Sequence, residues 1–211
     1  MNNILDFTYL SQRIKSGHGG DGMCTILKKI KNREPYELLE MYGVSSNPPI
    51  DLSALLDKIG ISTIAKDFTE IEENTGVNKG TILGAAFSNE DNLAIFYKKF
   101  DSLHRKKFTI AHELAHCCLH SPNDESSHIE FRLDPFVNLT KEAYEREREC
   151  NIFAGKLLIP KDSLMEHYEK MVVPSLVKLS EIFDVSTSVM AARLDYLELP
   201  YFKDSQTEII L

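Results

Sequence analysis

The apolar positions change period along the chain, and each change marks an element. From Asp51, residues Leu52, Leu55, Leu56 and Ile59 recur at helical spacing and stop at Gly60, which predicts an amphipathic helix closed by a left-handed cap. Three short β-type runs follow: Ile61 to Ala65, Thr81 to Phe87 and Leu93 to Tyr97. The last two flank the polar turn SNEDN and predict a hairpin, so a small antiparallel sheet is expected. Beyond Asp101 the pattern is helical except between Pro122 and Pro135. The stretch Pro174 to Leu197 reads as a helix, a turn at Asp184 to Ser186, and a second helix. Upstream, short helix-like runs (Ile4 to Ile14, Met23 to Ile30, Tyr36 to Met41) are interrupted by SGHGGDG, whose glycines suit a turn; His18 and Asp21 there read as solvated linker. SSNPP at Ser45 to Pro49 reads as a linker ending at the Asp51 cap. The organisation expected is an N-terminal helical extension over 1–46, a central domain over 47–160 and a C-terminal helical subdomain with a tail over 161–211.

Composition narrows the class. A chain of 211 residues, 43% hydrophobic and 27% charged, suits one globular domain with appendages and excludes disorder throughout. The 24 basic against 32 acidic residues give a net charge of -8, which disfavours a nucleic-acid coat or an anionic-lipid surface. No apolar stretch approaches the roughly 20 residues of a membrane span; Ile82 to Phe87 is already broken by Gly84. The polar, acid-bearing start MNNILDFTYLSQRIK lacks a signal-peptide pattern, so a cytoplasmic location is expected. Cys24, Cys117, Cys118 and Cys150 show no C-x-x-C spacing and two are vicinal, so reduced thiols are expected, packed as small buried side chains.

The chemistry concentrates in His112-Glu113-Leu114-Ala115-His116, within the helical run Lys107 to Leu119. Residues four apart on a helix lie on one face about 40° apart, so both imidazoles can reach one metal ion. Glu113 then stands beside the open coordination position as a general base, the arrangement of metal-assisted peptide hydrolysis. Phe108, Ile110, Ala111, Leu114, Ala115 and Leu119 make the helix largely apolar, and a glutamate inside it requires a reason.

A catalytic zinc takes three protein ligands. A third histidine at the H-E-x-x-H-x-x-G-x-x-H spacing is excluded, because Leu119 and Pro122 occupy the required positions. The segment Thr140 to Ile159 offers Glu142, Glu145, Glu147 and Glu149, and Thr140 reads as its helix cap. Its apolar face runs through Ala143, Tyr144, Cys150, Ala154, Leu157 and Leu158, and Glu147 interrupts that face. Glu145 and Glu149 share the opposite side with Lys156. Glu147 is therefore the expected third ligand, and Asn151, four residues on, is placed to hydrogen-bond a ligand histidine. His120 continues the row after His116 but drifts off its face, and reads as support for the helix end. His104 is a weaker candidate, and His128 and Tyr144 are both candidates to stabilise an oxyanion. Zinc is the expected metal, although manganese or iron suits the same donors.

These residues resemble a known family. NLAIFYKKFDSLHRKKFTIAHELAHCCLH followed by ERECNIFAGKLLIP is similar to the ImmA/IrrE family of bacterial and phage metallopeptidases, over about Ile50 to Leu199. The family's H-E-[LI]-[GA]-H is met at 112–116, and its E-x-x-A-N-x-F-A-x-x-L-L-x-P helix at Glu147 to Pro160, with Cys150 in place of the usual alanine. The resemblance implies His112, His116 and Glu147 as ligands and Glu113 as base. It also implies a helix-turn-helix (XRE-type) repressor as protein substrate, cleaved to relieve repression in a mobile element or a stress response. The competing expectation is a non-proteolytic, metal-stabilised regulator that binds such a repressor.

LSEIFDVSTSVMAARL is itself similar to a helix-turn-helix. Between Pro174 and Glu198 two cations, Lys178 and Arg193, face four anions, Glu181, Asp184, Asp195 and Glu198, so direct DNA binding is not expected. A role in packing or substrate docking is expected there, with Leu179, Ile182, Phe183, Val189 and Leu194 as core. The fold expected overall is α+β: a zincin-like metallopeptidase core, mostly helical with a small antiparallel sheet, and a C-terminal helix-turn-helix-like subdomain.

Overall fold

The computed structural model describes residues 24–76, 78–89, 92–121, 127–133 and 140–203, with backbone alone at Thr75 and 127–133. The helix expected over Ile4 to Ile14, with His18 and Asp21, lies outside the described residues. Within them the order is α1 (Thr25–Ile30), α2 (Pro35–Met41), α3 (Leu52–Ile59), β1 (Ile61–Lys66), α4 (Thr69–Thr75), β2 (Ile82–Asn89), β3 (Leu93–Lys98), α5 (Leu103–Leu119), β4 (Ser127–Leu133), α6 (Lys141–Leu158), α7 (Lys161–Glu169), α8 (Leu176–Phe183) and α9 (Thr187–Tyr196). The class is α+β.

Local chemistry sets the boundaries. Asp51 caps α3 by accepting from the Ala54 amide at 2.9 Å, and Gly60 closes it at φ 93°, a left-handed conformation that suits glycine. Thr140 caps α6 through the Ala143 amide at 3.2 Å. Asp184 ends α8 at φ 50°, and Ser186 caps α9, so the turn over 184–186 falls where the sequence puts it.

The sheet departs from expectation. It has four strands in the order β1-β3-β2-β4 and is mixed rather than antiparallel. β2 and β3 form the expected hairpin, with Ser88 opposite Leu93, but β1 runs parallel to β3. Helix α4, which the sequence reading left out, lies between β1 and β2. β2 starts at the end of the sheet where β1 finishes and runs back, so β3 comes out in the same direction as β1 and pairs beside it. Strand β4 joins antiparallel to β2 from within the 122–135 stretch that the helical pattern skips.

Both sheet faces are covered. Ala86, Leu93 and Ile95 belong to the main core with α3, α5 and α6, while Ala85, Phe87, Ala94 and Phe96 form a second cluster with Phe68 and Ile82. Two-sided burial explains why β2 reads as a continuous apolar run instead of alternating. From Cys24 onward the N-terminal segment is part of the main core: Cys24, Leu27, Ile30, Leu38 and Leu39 are all buried in it. Leu179, Phe183, Met190 and Leu194 of α8 and α9 join the same core, with Ile182 and Val189 partly buried against it. No described helix is long and apolar enough to cross a membrane.

Candidate metal centre

Helix α5 is the central element of the site. It starts at Ser102, whose hydroxyl accepts from the Arg105 amide at 3.3 Å, and packs against β2 and β3 on one side and α6 on the other. Every residue from Ala111 to Cys118 is therefore buried. Besides two thiols these include two imidazoles and a carboxyl: His112 and Glu113 are 0% exposed and His116 is 3% exposed. Groups of this kind are buried at a cost of several kcal/mol unless they are paired or coordinate a metal.

Helix α6 brings Glu147 to them. Its Oε2 lies 3.1 Å from His112 Nε2 and its Oε1 3.2 Å from His116 Nε2, while the two Nε2 atoms are 3.1 Å apart. From the far side, Asn151 Oδ1 accepts from His112 Nδ1 at 2.9 Å. With the proton on Nδ1, the Nε2 lone pair is directed at Glu147 and His116. Burial alone would raise the Glu147 carboxyl. Hydrogen bonds from His112 and His116, and their charge, outweigh that and hold it well below the ordinary carboxylate range.

The donor set fits a divalent cation. With both Nε2 atoms unprotonated, two imidazole lone pairs and a carboxylate stand 3.1–3.2 Å apart, a cluster that a cation among them would stabilise in place of the imidazole protons. Bonds of about 2.0–2.2 Å to nitrogen and oxygen in a tetrahedron separate ligand atoms by about 3.3–3.5 Å, close to the spacing found. Cys150 is a rival third donor, since one ligand atom each of His112, His116 and Cys150 lies within 4.8 Å of the others. The Glu147 oxygens lie 3.1 and 3.2 Å from the two Nε2 atoms. Cys150 is fully buried beside Cys118, whose thiol is pushed up by burial and then by Cys150 itself, an environment that disfavours a thiolate.

Glu113 points elsewhere in the same interior. Its Oε1 lies against Gly84 of β2, so closely that a Cβ at that position would stand 2.9 Å from it and 2.7 Å from Thr109 Cγ2. The strand bulges here, since the β2–β4 pairing steps from Ile82 to Gly84 across adjacent residues of β4. Gly84 was not among the expected site residues, although a glycine inside an apolar strand signals close approach by a neighbour.

The structure thus brings together His112, His116, Glu147 and Asn151, with Glu113 buried on the same helix against Gly84. Other candidates fall away from the centre. Tyr144, placed on the apolar face by periodicity, is 59% exposed because the first two turns of α6 extend past the core, and burial becomes continuous only near Phe153. His120 faces Glu149 at 3.3 Å at the end of α5, and His104 pairs with Asp184 at 3.1 Å. The His128 side chain lies outside the described residues.

Residues 57–195 match the IrrE N-terminal-like domain of the M78 peptidases. The chain belongs to this family. No curated protein matches the chain. The M78 match takes in both helices of the centre, α5 and α6, together with the whole sheet and most of α9.

Proposed function

We propose that this M78 chain is a zinc-dependent, site-specific endopeptidase with a zincin-like core. In this reading His112, His116 and Glu147 hold the metal and Glu113 is the general base. The observation that carries the reading is the convergence of two imidazole Nε2 atoms and one carboxylate at 3.1–3.2 Å in a buried site, next to a fourth buried ionisable group. Zinc bound there supplies a water acidified toward neutrality and polarises the scissile carbonyl.

The remaining steps belong to the chain. Asn151 holds the His112 ring in place through Nδ1, so that Nε2 is kept as a donor. A Glu113 carboxylate oxygen takes the proton of the attacking water as the new C–O bond forms, and passes it to the leaving nitrogen as the C–N bond breaks. Full burial keeps bulk solvent away from the Glu113 carboxylate.

The substrate proposed is a helix-turn-helix repressor of the XRE type, on the strength of the family resemblance and of a net charge that suits a protein substrate better than DNA. The C-terminal pair α8–α9 serves packing and docking. Lys107 and His104 of α5 both reach Asp184 in its turn, at 3.2 and 3.1 Å.

The test is co-expression with an XRE-type helix-turn-helix repressor, taken from beside this chain's gene where one is encoded there. The reading expects two fragments of the repressor with the native sequence, and none with Glu113→Gln at unchanged zinc content. A stoichiometric complex with intact repressor, the same for both variants, would instead make the chain a non-proteolytic regulator.

A further inference from the structure

A second site stands behind the metal centre. A cavity of about 350 Å³ opens among α5, α6 and α9, walled by Phe108, Ile152, Val189 and Tyr196 and edged by Arg148 and Arg193. This volume lies in the range of small-molecule pockets. Among the described residues no acidic one lines it, in a chain that carries 32 of them. A larger cavity of about 550 Å³, bounded by α2 and the α6–α7 junction, shares Arg193 and Tyr196 with the first.

Arg193 is the unusual group. It is only 6% exposed, yet its charge meets no carboxylate among the described residues. Burial accordingly holds its guanidinium below the ordinary value. Its Nε donates to the Ile159 carbonyl at 3.0 Å, and the guanidinium carbon stands 5.6 Å from the centre of the Tyr196 ring. Buried charges in proteins are otherwise paired, because an unpaired one forfeits hydration with nothing in return. With Nε committed to Ile159, the two terminal nitrogens remain, a planar pair that matches the two oxygens of a carboxylate. One buried guanidinium balances one charge, and the apolar walls suit a hydrocarbon or aromatic body.

We propose that this cavity binds a monocarboxylate with an apolar body, its carboxylate on Arg193 with Arg148 at the entrance. Asn151 also borders the cavity and holds His112, so a bound acid touches the residue that orients the metal centre. That consequence rests on the proposed function; the binding itself does not.

The experiment is calorimetric titration of the full chain carrying Glu113→Gln, so that the outcome is independent of hydrolysis. The probes are 4-phenylbutyrate, its neutral amide, and acetyl-Ala-Ala-Phe as free acid and as amide. The proposal expects each acid to bind roughly 10-fold or more tightly than its amide, the gain of a charge-assisted hydrogen-bonded pair. Tighter binding by the peptide acid identifies a polypeptide terminus as the source of the carboxylate, and tighter binding by 4-phenylbutyrate a free acid. Ala192→Phe, which fills the cavity without touching Arg193's bond to Ile159, should abolish binding, and Arg148→Gln should weaken it. Equal affinity for acid and amide, no binding by any probe, or unchanged binding in Ala192→Phe overturns the proposal.

Discussion

Glu147 and Glu149 are two positions apart on α6 and have opposite surroundings. The Glu147 side chain is 21% exposed between two imidazoles, whereas that of Glu149 is 61% exposed beside His120. A hydrogen bond behind a ligand also matters: Asn151→Ala should weaken zinc affinity by about 10- to 100-fold, read by competition with a chelator, because His112 then loses its orienting acceptor. Gly84 acts by having no side chain. Gly84→Ala crowds Glu113 and Thr109 at once, and should cost about 1–3 kcal/mol in denaturant unfolding while zinc stays bound and repressor cleavage falls. Adding Thr109→Ser removes the methyl contact and should recover stability but not cleavage. Full cleavage by Gly84→Ala would show that Glu113 does not depend on the bare strand.

At the scale of elements, buried and exposed carboxylates pin loops to the frame. Glu72 of α4 is 2% exposed and accepts from the Gly80 and Ile82 amides, both at 2.8 Å, which fixes where β2 begins. Glu72→Ala leaves two amides without this acceptor and should destabilise the fold by about 2–4 kcal/mol in urea unfolding, with Glu72→Gln intermediate. Asp184 ties the α8–α9 turn to α5. Burial would raise its carboxyl, but hydrogen bonds and charge from Lys107 and then His104 lower it on balance. A lowered folded-state value stabilises above the ordinary 3.8 and is lost as pH falls through the folded value. Asp184→Asn should therefore lower Tm modestly at neutral pH, and the gap to the native sequence should close in strong acid.

The same elements show what the sequence could and could not reveal. Helices α3, α6, α8 and α9 were legible because their caps and periods agree, at Asp51, Thr140, Asp184 and Ser186. The convergence of His112, His116 and Glu147 was legible because a buried helix face tolerates a charged residue only for a purpose. The parallel partner of β1 was not, since it depends on β1 docking beside β3 rather than β2, a long-range pairing across α4 and the hairpin that no local pattern marks. Tyr144 was misplaced because periodicity describes a helix without saying where the core beneath it stops. Arg193 entered only as one of two cations in the helix-turn-helix-like segment, and only the folded arrangement shows that it is buried.

Across the whole molecule one core joins α1 and α2, the sheet, the central helices and the C-terminal pair. A metal held by α5 and α6 would tie together the two helices at the middle of that core. Zinc loading should accordingly raise Tm of the native sequence and leave that of Glu147→Ala unchanged, as expected when a ligand binds only the folded state. The most direct test of the account is zinc per chain, measured by mass spectrometry, in the native sequence and in Glu147→Ala, Glu149→Ala and Cys150→Ala. The account predicts one zinc in the native sequence, in Glu149→Ala and in Cys150→Ala, and almost none in Glu147→Ala. Full zinc in Glu147→Ala with loss in Cys150→Ala would contradict it.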